Sequence, residues 1–252
     1  MEANRAVVLS IAGFDPCGGA GILADIKTFE QHKVYGLGIN TAQTLQTEND
    51  FISIKWETEN DILKALETML AHYDVKAVKI GIVENGSTLK KIVSFIHQKN
   101  RAIKIIIDTV IQSSSGFDFR NEETNKAELL ETFSQSFLIT PNYNEVLQLM
   151  PENNSKDAAQ KLSAYCNVLL KGGHNKEEVG IDYLYTKNDI RKLIASTTAI
   201  GAKHGSGCVL SAAITANLAL GFDLLASCTN AKKYIEQFLL SNNTLLGYHH
   251  VK

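Results

Sequence analysis

The chain has 252 residues and a formal net charge of -2, with 44% hydrophobic and 21% charged residues. These proportions are typical of a soluble globular protein with a well-formed core and argue against disorder. The chain is nearly neutral and has no run of Lys and Arg residues, so it lacks a positive electrostatic field that would attract phosphate backbones or anionic lipid. Neither nucleic acid nor a membrane is therefore an expected partner.

The N-terminus and the cysteines indicate a cytoplasmic protein. The opening MEANRAVVLSIAGF contains only a short apolar run of strand length, and nowhere do the ~18 apolar residues of a membrane span occur. The four cysteines are far apart and form no CxxC pair (Cys17, Cys166, Cys208 and Cys228). This spacing favours neither a zinc site nor a disulfide framework and fits a reducing cytoplasm.

Short apolar runs of strand length alternate with amphipathic stretches along the chain. The expected strands span residues 6–12, 36–45, 75–81, 103–108, 137–140 and 167–172. The expected helices span residues 21–32, 60–73, 87–98, 125–135, 207–221 and 228–243. This alternation predicts an α/β fold with a buried, mainly parallel sheet. No linker, repeat or low-complexity tract divides the chain, so we expect one domain over residues 1–252.

The segment AGFDPCGGAGILADIKTF (12–29) carries the first candidate ligand site. A strand runs there into a glycine-rich loop and then into a helix, and glycines let a backbone approach a ligand closely at the carboxyl edge of a parallel sheet. The glycine spacing is neither a dinucleotide-binding fingerprint nor a P-loop. Asp25 falls in the first turns of the helix, where a carboxylate is electrostatically favoured. A tight connection without a ligand is the alternative.

A second candidate site is AKHGSGCVLSAAI (202–214), where small residues precede an alanine-rich helix. The free amides at the start of such a helix bind anions, so the residues that would surround a phosphoryl group are Gly205, Ser206, Gly207 and Cys208. We expect the helix dipole to lower the pKa of the Cys208 thiol, which would make it a proton acceptor or a polar contact for a substrate hydroxyl. A buried, inert cysteine is the alternative.

Three further segments follow expected strands: IDTV (107–110), ITPNYNEV (139–146) and LLKGGH (169–174). They should lie along the same sheet edge. Asp108 and Glu145 would bind a metal ion through water there, and Lys171 would contact a nucleotide phosphate. Each residue taken singly also fits a solvated strand end, and no direct metal ligand is predicted.

Four motifs, which occur in order along nearly the whole chain, resemble those of hydroxymethylpyrimidine/phosphomethylpyrimidine kinases. They are AGFDPCGGAG with Asp25 after it, ITPNYNE, LLKGGH and HGSGC. This family is related to pyridoxal kinase within the ribokinase-like superfamily. The resemblance implies a three-layer αβα ribokinase-like fold with a central, mainly parallel sheet, a homodimer, and ATP with Mg²⁺ as phosphate donor. It also implies two phosphorylations in thiamin biosynthesis, of 4-amino-5-hydroxymethyl-2-methylpyrimidine and of its monophosphate.

Matched motif by motif, the resemblance implies roles for individual residues. Those implied for the pyrimidine are Gly13, Asp25, Gln46 and Ile82. Those implied for ATP and Mg²⁺ are Asp108, Glu145 and Lys171. The anion hole would comprise Gly205, Ser206, Gly207 and Cys208. Cys208 would also be the catalytic residue, at the position where sugar kinases carry an aspartate. The Gln46 amide both donates and accepts hydrogen bonds, as an aminopyrimidine edge requires.

The chain departs from the family pattern at several positions. Phe14 stands where the family usually has Ser or Thr, and Cys17 and Ser206 replace a common Ser and Thr. Ile82 replaces a methionine expected beside the pyrimidine, so the shape of the pocket would differ. The nearest alternative function is a pyridoxal or pyridoxine kinase of vitamin B6 salvage, because that pyridine alcohol has a similar size. A non-catalytic ligand-binding relative is the alternative from a different class.

Overall fold

Strands and helices alternate along the chain. The structure, a computed structural model, describes residues 5–110, 125–175, 178–196 and 201–249. Within these ranges the strands are β1 (Val7–Phe14), β2 (Tyr35–Gln46), β3 (Phe51–Trp56), β4 (Val75–Ile80), β5 (Lys104–Ile107), β6 (Leu138–Ile139), β7 (Asn167–Leu170), β8 (Asp182–Tyr185) and β9 (Ile190–Leu193). The α-helices of the same ranges are α1 (Gly21–Gln31), α2 (Glu59–His72), α3 (Gly86–Lys99), α4 (Lys126–Ser134), α5 (Tyr143–Leu149), α6 (Ser155–Leu162), α7 (Ser206–Ala219) and α8 (Leu224–Leu239).

The described strands form one sheet in the order β3-β2-β1-β4-β5-β6-β7-β8-β9. The strands from β2 to β7 in this order are all parallel to one another. At the edges, β3 pairs antiparallel with β2, and β8 lies antiparallel between β7 and β9. Because the central strands run in one direction, their carboxyl ends meet along a single edge of the sheet.

Helices cover both faces of this sheet. One buried hydrophobic cluster packs α2, α3, α4, α5 and α6 against one face, and a second packs α1, α7 and α8 against the other. Val8 belongs to the second cluster and its neighbour Leu9 to the first, as the two-residue period of a strand buried on both faces requires. The result is the expected three-layer αβα arrangement.

Helix α7 is buried along most of its length. Every residue from Val209 to Leu218 is buried, because other elements pack against all sides of the helix. These elements are α1, α8 and the central strands. This packing holds the first turn of α7, at Ser206, beside the carboxyl ends of the strands. Although α7 is apolar, it has only 14 residues, and no described helix combines the length and apolarity needed to cross a bilayer.

The strands and helices expected from apolar periodicity are all present, with ends shifted by a few residues. Local periodicity does not reveal β3, β8 and β9 or the short helices α5 and α6. Strands β3 and β9 lie near the sheet edges with most of their residues partly or fully exposed, so they lack the apolar run that marks a buried strand. Tertiary pairing, and not local periodicity, makes these segments strands.

Candidate active site

A cavity of about 690 Å³ opens at the carboxyl edge of the sheet, next to the start of α7. Every predicted site residue except Asp25 lines it: Gly13, Gln46, Ile82, Asp108, Glu145, Lys171, Gly205, Ser206, Gly207 and Cys208. These residues are far apart in sequence and come together because parallel strands end at the same edge. The structure therefore places the predicted pyrimidine, nucleotide and anion residues around one space.

Gln46 and Ile82 lie at the part of the cavity next to β1 and β2. Gln46 is the last residue of β2, and its Nε2 donates a 2.8 Å hydrogen bond to Thr44 Oγ1. Thr44 in turn donates to the Phe14 carbonyl oxygen at 2.8 Å, which orients the amide. A Cβ at Gly13 would lie 2.6 Å from Cδ1 of Ile82, so these two residues pack directly together. An oriented amide beside an apolar wall can bind a flat heterocycle that both donates and accepts hydrogen bonds.

Asp25 lies behind the cavity wall, in α1. Its carboxylate accepts hydrogen bonds from Lys79 Nζ at 2.8 and 2.9 Å and from Ser10 Oγ at 2.5 Å, and all three residues are fully buried. Lys79 does reach the cavity. Burial opposes the charge on the Lys79 ammonium, but the Asp25 carboxylate holds the pKa of Lys79 above its usual value. Asp25 thus holds the buried Lys79 ammonium group as a fixed positive charge next to the cavity.

Lys171 directly follows β7 and lies between two carboxylates, those of Asp108 after β5 and of Glu145 in α5. Its Nζ is 3.0 Å from Asp108 Oδ1 and 3.8 Å from Glu145 Oε2. Asp108 also accepts hydrogen bonds from Thr140 at 2.9 Å and Ser211 at 3.2 Å. Burial opposes ionisation of Asp108, yet Lys171 and Lys79 hold the pKa of its carboxyl below the usual value. Asp108 is therefore ionised at neutral pH.

Glu145 differs from Asp108 because it also caps a helix. Its Oε2 accepts the backbone N–H of Asn142 at 2.7 Å in a capping box that begins α5. Burial raises the pKa of Glu145 above its usual value, and the nearby Lys171 opposes this. Carboxylate oxygens are the ligands that Mg²⁺ prefers, so Asp108 and Glu145 fit a magnesium–nucleotide complex, with Lys171 available to a phosphate.

The start of α7 has the geometry of an anion site. Gly205 caps the helix with a φ of 72°, and a Cβ there would lie 1.9 Å from the Gly19 carbonyl oxygen, so only glycine fits. A Cβ at Gly207 would lie 3.4 Å from Lys171 Nζ, which places the ammonium group beside the first helical turn. The Ser206 amide makes a long 3.4 Å contact with the Lys203 carbonyl oxygen. Free amides of a helix start next to an ammonium group can bind a phosphoryl group.

The expected lowering of the Cys208 pKa is wrong. Cys208 is in the first turn of α7, but burial raises the pKa of its thiol to about 11. Lys79 acts in the opposite direction, whereas the carboxylates of Asp108 and Asp25 add to the increase. Desolvation of the thiolate outweighs the favourable charge of Lys79, so Cys208 is a protonated thiol at neutral pH.

A buried pair, Asp15 and His204, joins the two glycine-rich loops. His204 Nε2 lies 2.9 Å from Asp15 Oδ2, and both residues are almost fully buried. Asp15 also accepts the backbone N–H groups of Cys17 at 3.0 Å and Ala20 at 2.8 Å. Because His204 immediately precedes Gly205, this pair positions the start of α7 against the loop after β1.

Lys79, Asp15 and His204 are not among the site residues predicted from the sequence. Lys79 had a visible signal, because it follows two apolar residues near the end of β4 (VKAVKI), where a buried charge requires a partner. Asp15 and His204 lie inside the motifs AGFDPCGGAG and HGSGC, but the sequence does not show that the two motifs touch.

Comparison with known proteins extends these observations. The family model described as phosphomethylpyrimidine kinase matches residues 15–252. A hydroxymethylpyrimidine/phosphomethylpyrimidine kinase of Aquifex aeolicus is 33% identical over 251 residues, which cover 96% of this chain and 96% of that protein.

Solved structures show the same fold. A phosphomethylpyrimidine kinase from Clostridium difficile 630 matches with a TM-score of 0.77 and 30% identity, covering 92% of this chain and 98% of that one. An ADP complex of Bacillus subtilis pyridoxal kinase matches with a TM-score of 0.82 and 28% identity, covering 94% and 92%. These similarities confirm the ribokinase-like fold, and together with the match over residues 15–252 they show that the chain belongs to the phosphomethylpyrimidine kinase family.

Proposed function

We propose that this chain transfers the γ-phosphoryl group of ATP to 4-amino-5-hydroxymethyl-2-methylpyrimidine, and then phosphorylates the monophosphate to the pyrophosphate in thiamin biosynthesis. The observation that carries this proposal is the single cavity shared by Gln46 and the first turn of α7. A ring bound at Gln46 can direct its hydroxymethyl group toward the phosphoryl site in the same cavity. The names of the family and of the relatives support the same reaction.

In this proposal the pyrimidine is oriented before it reacts. The Gln46 amide pairs with a ring nitrogen and the exocyclic amine, while Gly13 and Ile82 pack against the ring. Asp25 acts through Lys79, whose ammonium group it holds at the cavity. The hydroxymethyl oxygen then lies near Cys208, whose protonated thiol serves as a hydrogen-bond partner and not as a base.

Phosphoryl transfer depends on positioning and on neutralising charge. The amides of residues 205 to 208 surround the γ-phosphoryl group, and Lys171 contacts a phosphate oxygen beside them. The hydroxymethyl oxygen attacks phosphorus, ADP leaves, and the alcohol proton passes to solvent or phosphate. Asp108 and Glu145 would hold Mg²⁺ through water, and the ion would supply further neutralisation of the phosphates.

The location and assembly of the protein belong to the same proposal. We place the enzyme in the cytoplasm, where its four free cysteines would remain reduced. We expect a homodimer and no binding to nucleic acid. Light scattering of the purified protein would test the dimer, because a mass of one chain of 27.7 kDa contradicts it.

The decisive experiment measures ADP release with Mg²⁺-ATP and three acceptors in parallel: hydroxymethylpyrimidine, its monophosphate and pyridoxal. We expect turnover of both pyrimidines with the larger kcat/KM values. A preference for pyridoxal would move the assignment to vitamin B6 salvage. No turnover of any acceptor would favour a non-catalytic ligand-binding protein.

Two leucine substitutions test the pyrimidine contact. Gln46→Leu should raise the KM for hydroxymethylpyrimidine about tenfold to a hundredfold, because the site loses a pair of hydrogen bonds. Gln43→Leu is the matched control, since Gln43 is an exposed glutamine of the same strand outside the cavity. Equal KM values in the two variants would show that the ring binds elsewhere.

A further inference from the structure

Three side chains with different donor atoms converge where the loop after β1 meets the loop before α7. They are Asp15, Cys17 and His204, the Asp15–Cys17–His204 cluster. His204 Nε2 lies 2.9 Å and Cys17 Sγ lies 3.2 Å from the same atom, Asp15 Oδ2. All three donor atoms lie within 4.8 Å of one another. The spacing of these residues in the sequence gives no sign of this convergence.

The hydrogen-bond arrangement at Asp15 Oδ2 is crowded. This oxygen also accepts the Ala20 N–H at 2.8 Å, so three donors point at one atom. Two of the three, the Cys17 thiol and the His204 Nε2–H, are groups that bind metal ions once the proton has left the donor atom. A cation in place of these two hydrogens would keep the three side chains together.

The donor set and the distances fit a zinc-like ion. Carboxylate oxygen, thiolate sulfur and imidazole nitrogen are the ligands of Zn²⁺, at ~2.0–2.3 Å, which places tetrahedral donor atoms roughly 3.3–3.8 Å apart. The observed separations of 2.9 and 3.2 Å need to widen by only a few tenths of an ångström. Such a shift is within the range of side-chain rotation.

The Nδ1 atom of the His204 imidazole is available to carry the ring proton. Its Nδ1 is buried and has no hydrogen-bond partner among the described residues. Moving the proton from Nε2 to Nδ1, as ligation through Nε2 requires, therefore breaks no hydrogen bond at Nδ1. Cys17 is partly exposed whereas Asp15 and His204 are buried, so an ion would enter past the thiol.

We propose that the Asp15–Cys17–His204 cluster binds one thiophilic divalent transition-metal ion of the Zn²⁺ class. Binding forms a metal–sulfur bond and expels the thiol proton of Cys17 to solvent, while the imidazole keeps its proton on Nδ1. Water completes the four ligands. The site uses none of Asp108, Glu145 or Lys171 and differs in chemistry from a magnesium–nucleotide site, which takes oxygen ligands.

The test is a titration of metal-stripped, nucleotide-free full-length protein with Co²⁺, followed by competition with Zn²⁺. We expect one equivalent of Co²⁺ to produce a thiolate-to-cobalt charge-transfer absorption, which Zn²⁺ abolishes. Cys17→Ser should lose this absorption and bind at least about tenfold more weakly. A serine hydroxyl can still donate to Asp15, so the loop should keep its fold, and circular dichroism with a melting curve would check this.

Cys208→Ser is the control, because Cys208 lines the active-site cavity and lies outside the cluster. It should bind Co²⁺ like the wild type. His204→Gln should weaken binding while Cys17 remains, which tests the nitrogen ligand separately. Absence of the charge-transfer absorption in the wild type would overturn the proposal. So would an absorption that survives Cys17→Ser and disappears in Cys208→Ser.

Discussion

Burial of the Cys208 thiol decides which chemistry this residue can perform. With a pKa of about 11, roughly one thiol in 10,000 is ionised at pH 7. Because the pKa lies above its ordinary value, the protonated form persists through the whole neutral range. The side chain lines the cavity, so small reagents can reach it.

We expect the rate of alkylation of Cys208 by iodoacetamide to rise about tenfold for each pH unit between pH 7 and 9, since only the thiolate reacts. The rate can be followed by mass spectrometry of the peptide that contains Cys208, which separates it from the other cysteines. A plateau below pH 9 would show that the helix dipole controls the thiol after all.

The buried ion pair of Asp25 and Lys79 can be tested by a double-mutant cycle. Both side chains are 0% exposed, and their atoms approach to 2.8 Å. Asp25→Asn leaves the buried Lys79 ammonium without its hydrogen-bonded carboxylate, which should lower the free energy of unfolding by about 3–5 kcal/mol. Urea denaturation would measure the change.

The double variant Asp25→Asn with Lys79→Met provides the control for this cycle. It removes both charges, so much of the lost stability should return, whereas kinase activity should stay low because the charge at the cavity is gone. Lys79→Met alone completes the cycle. A loss of stability in the double variant equal to the sum of the losses in Asp25→Asn and Lys79→Met would contradict an energetic coupling between the two residues.

At the scale of elements, α7 begins and ends near glycines that serve different purposes. Gly205 has a φ of 72° and Gly221 a φ of 92°, and both values are unfavourable for other residues. They differ in their surroundings. A Cβ at Gly205 would meet the Gly19 carbonyl oxygen at 1.9 Å, whereas nothing lies within 4 Å of a Cβ at Gly221.

Gly205→Ala should therefore lower the free energy of unfolding by about 2–4 kcal/mol and reduce kcat, because the backbone clash displaces the anion site. Gly221→Ala should lower it by only about 1 kcal/mol, from conformational strain, and leave kcat unchanged. Chemical denaturation and steady-state kinetics on both variants would check this. Equal effects of the two substitutions would mean that the close approach of Gly205 to the Gly19 carbonyl oxygen does not contribute to stability or activity.

At the scale of the whole molecule, the segment after α8 returns to brace the active site. Lys203 Nζ donates hydrogen bonds to the Asn242 carbonyl oxygen at 2.6 Å, to Asn242 Oδ1 at 2.9 Å and to the Thr244 carbonyl oxygen. The adjacent His204 N–H donates to the Leu245 carbonyl oxygen at 2.9 Å. The loop before α7 is thus held by residues about 40 positions further along the chain.

Lys203→Met should lower the free energy of unfolding by about 2–4 kcal/mol and also reduce kcat, because the Asn242 and Thr244 carbonyl groups lose the charged donor of a buried lysine next to the anion site. Lys99→Met is the comparison, since its side chain is 47% exposed and its ion pair spans 3.7 Å, and it should change stability by at most about 0.5 kcal/mol. Identical denaturation midpoints for the two variants would contradict a bracing role.

The central part of the fold follows directly from local patterns. Strands buried on both faces, such as β1 and β5, are largely apolar and can be recognised without any tertiary information. Edge strands such as β3 and β9 cannot, because their hydrogen bonds and half-buried faces depend on a neighbour that is distant in sequence. The same holds for the candidate site. Its glycine-rich loops and strand-end residues can be identified in the sequence, but the contacts between them cannot.

The sequence by itself determined the αβα class, the positions of the buried strands, the two glycine-rich loops and the family. Only the tertiary structure decided that Lys79 pairs with Asp25, that Asp15 meets His204, and that Cys208 is a poor acid. Periodicity and turn residues report local conformation and burial. Charge partners separated by 54 or 189 residues, and the desolvation of a thiol, depend on how the layers pack around them.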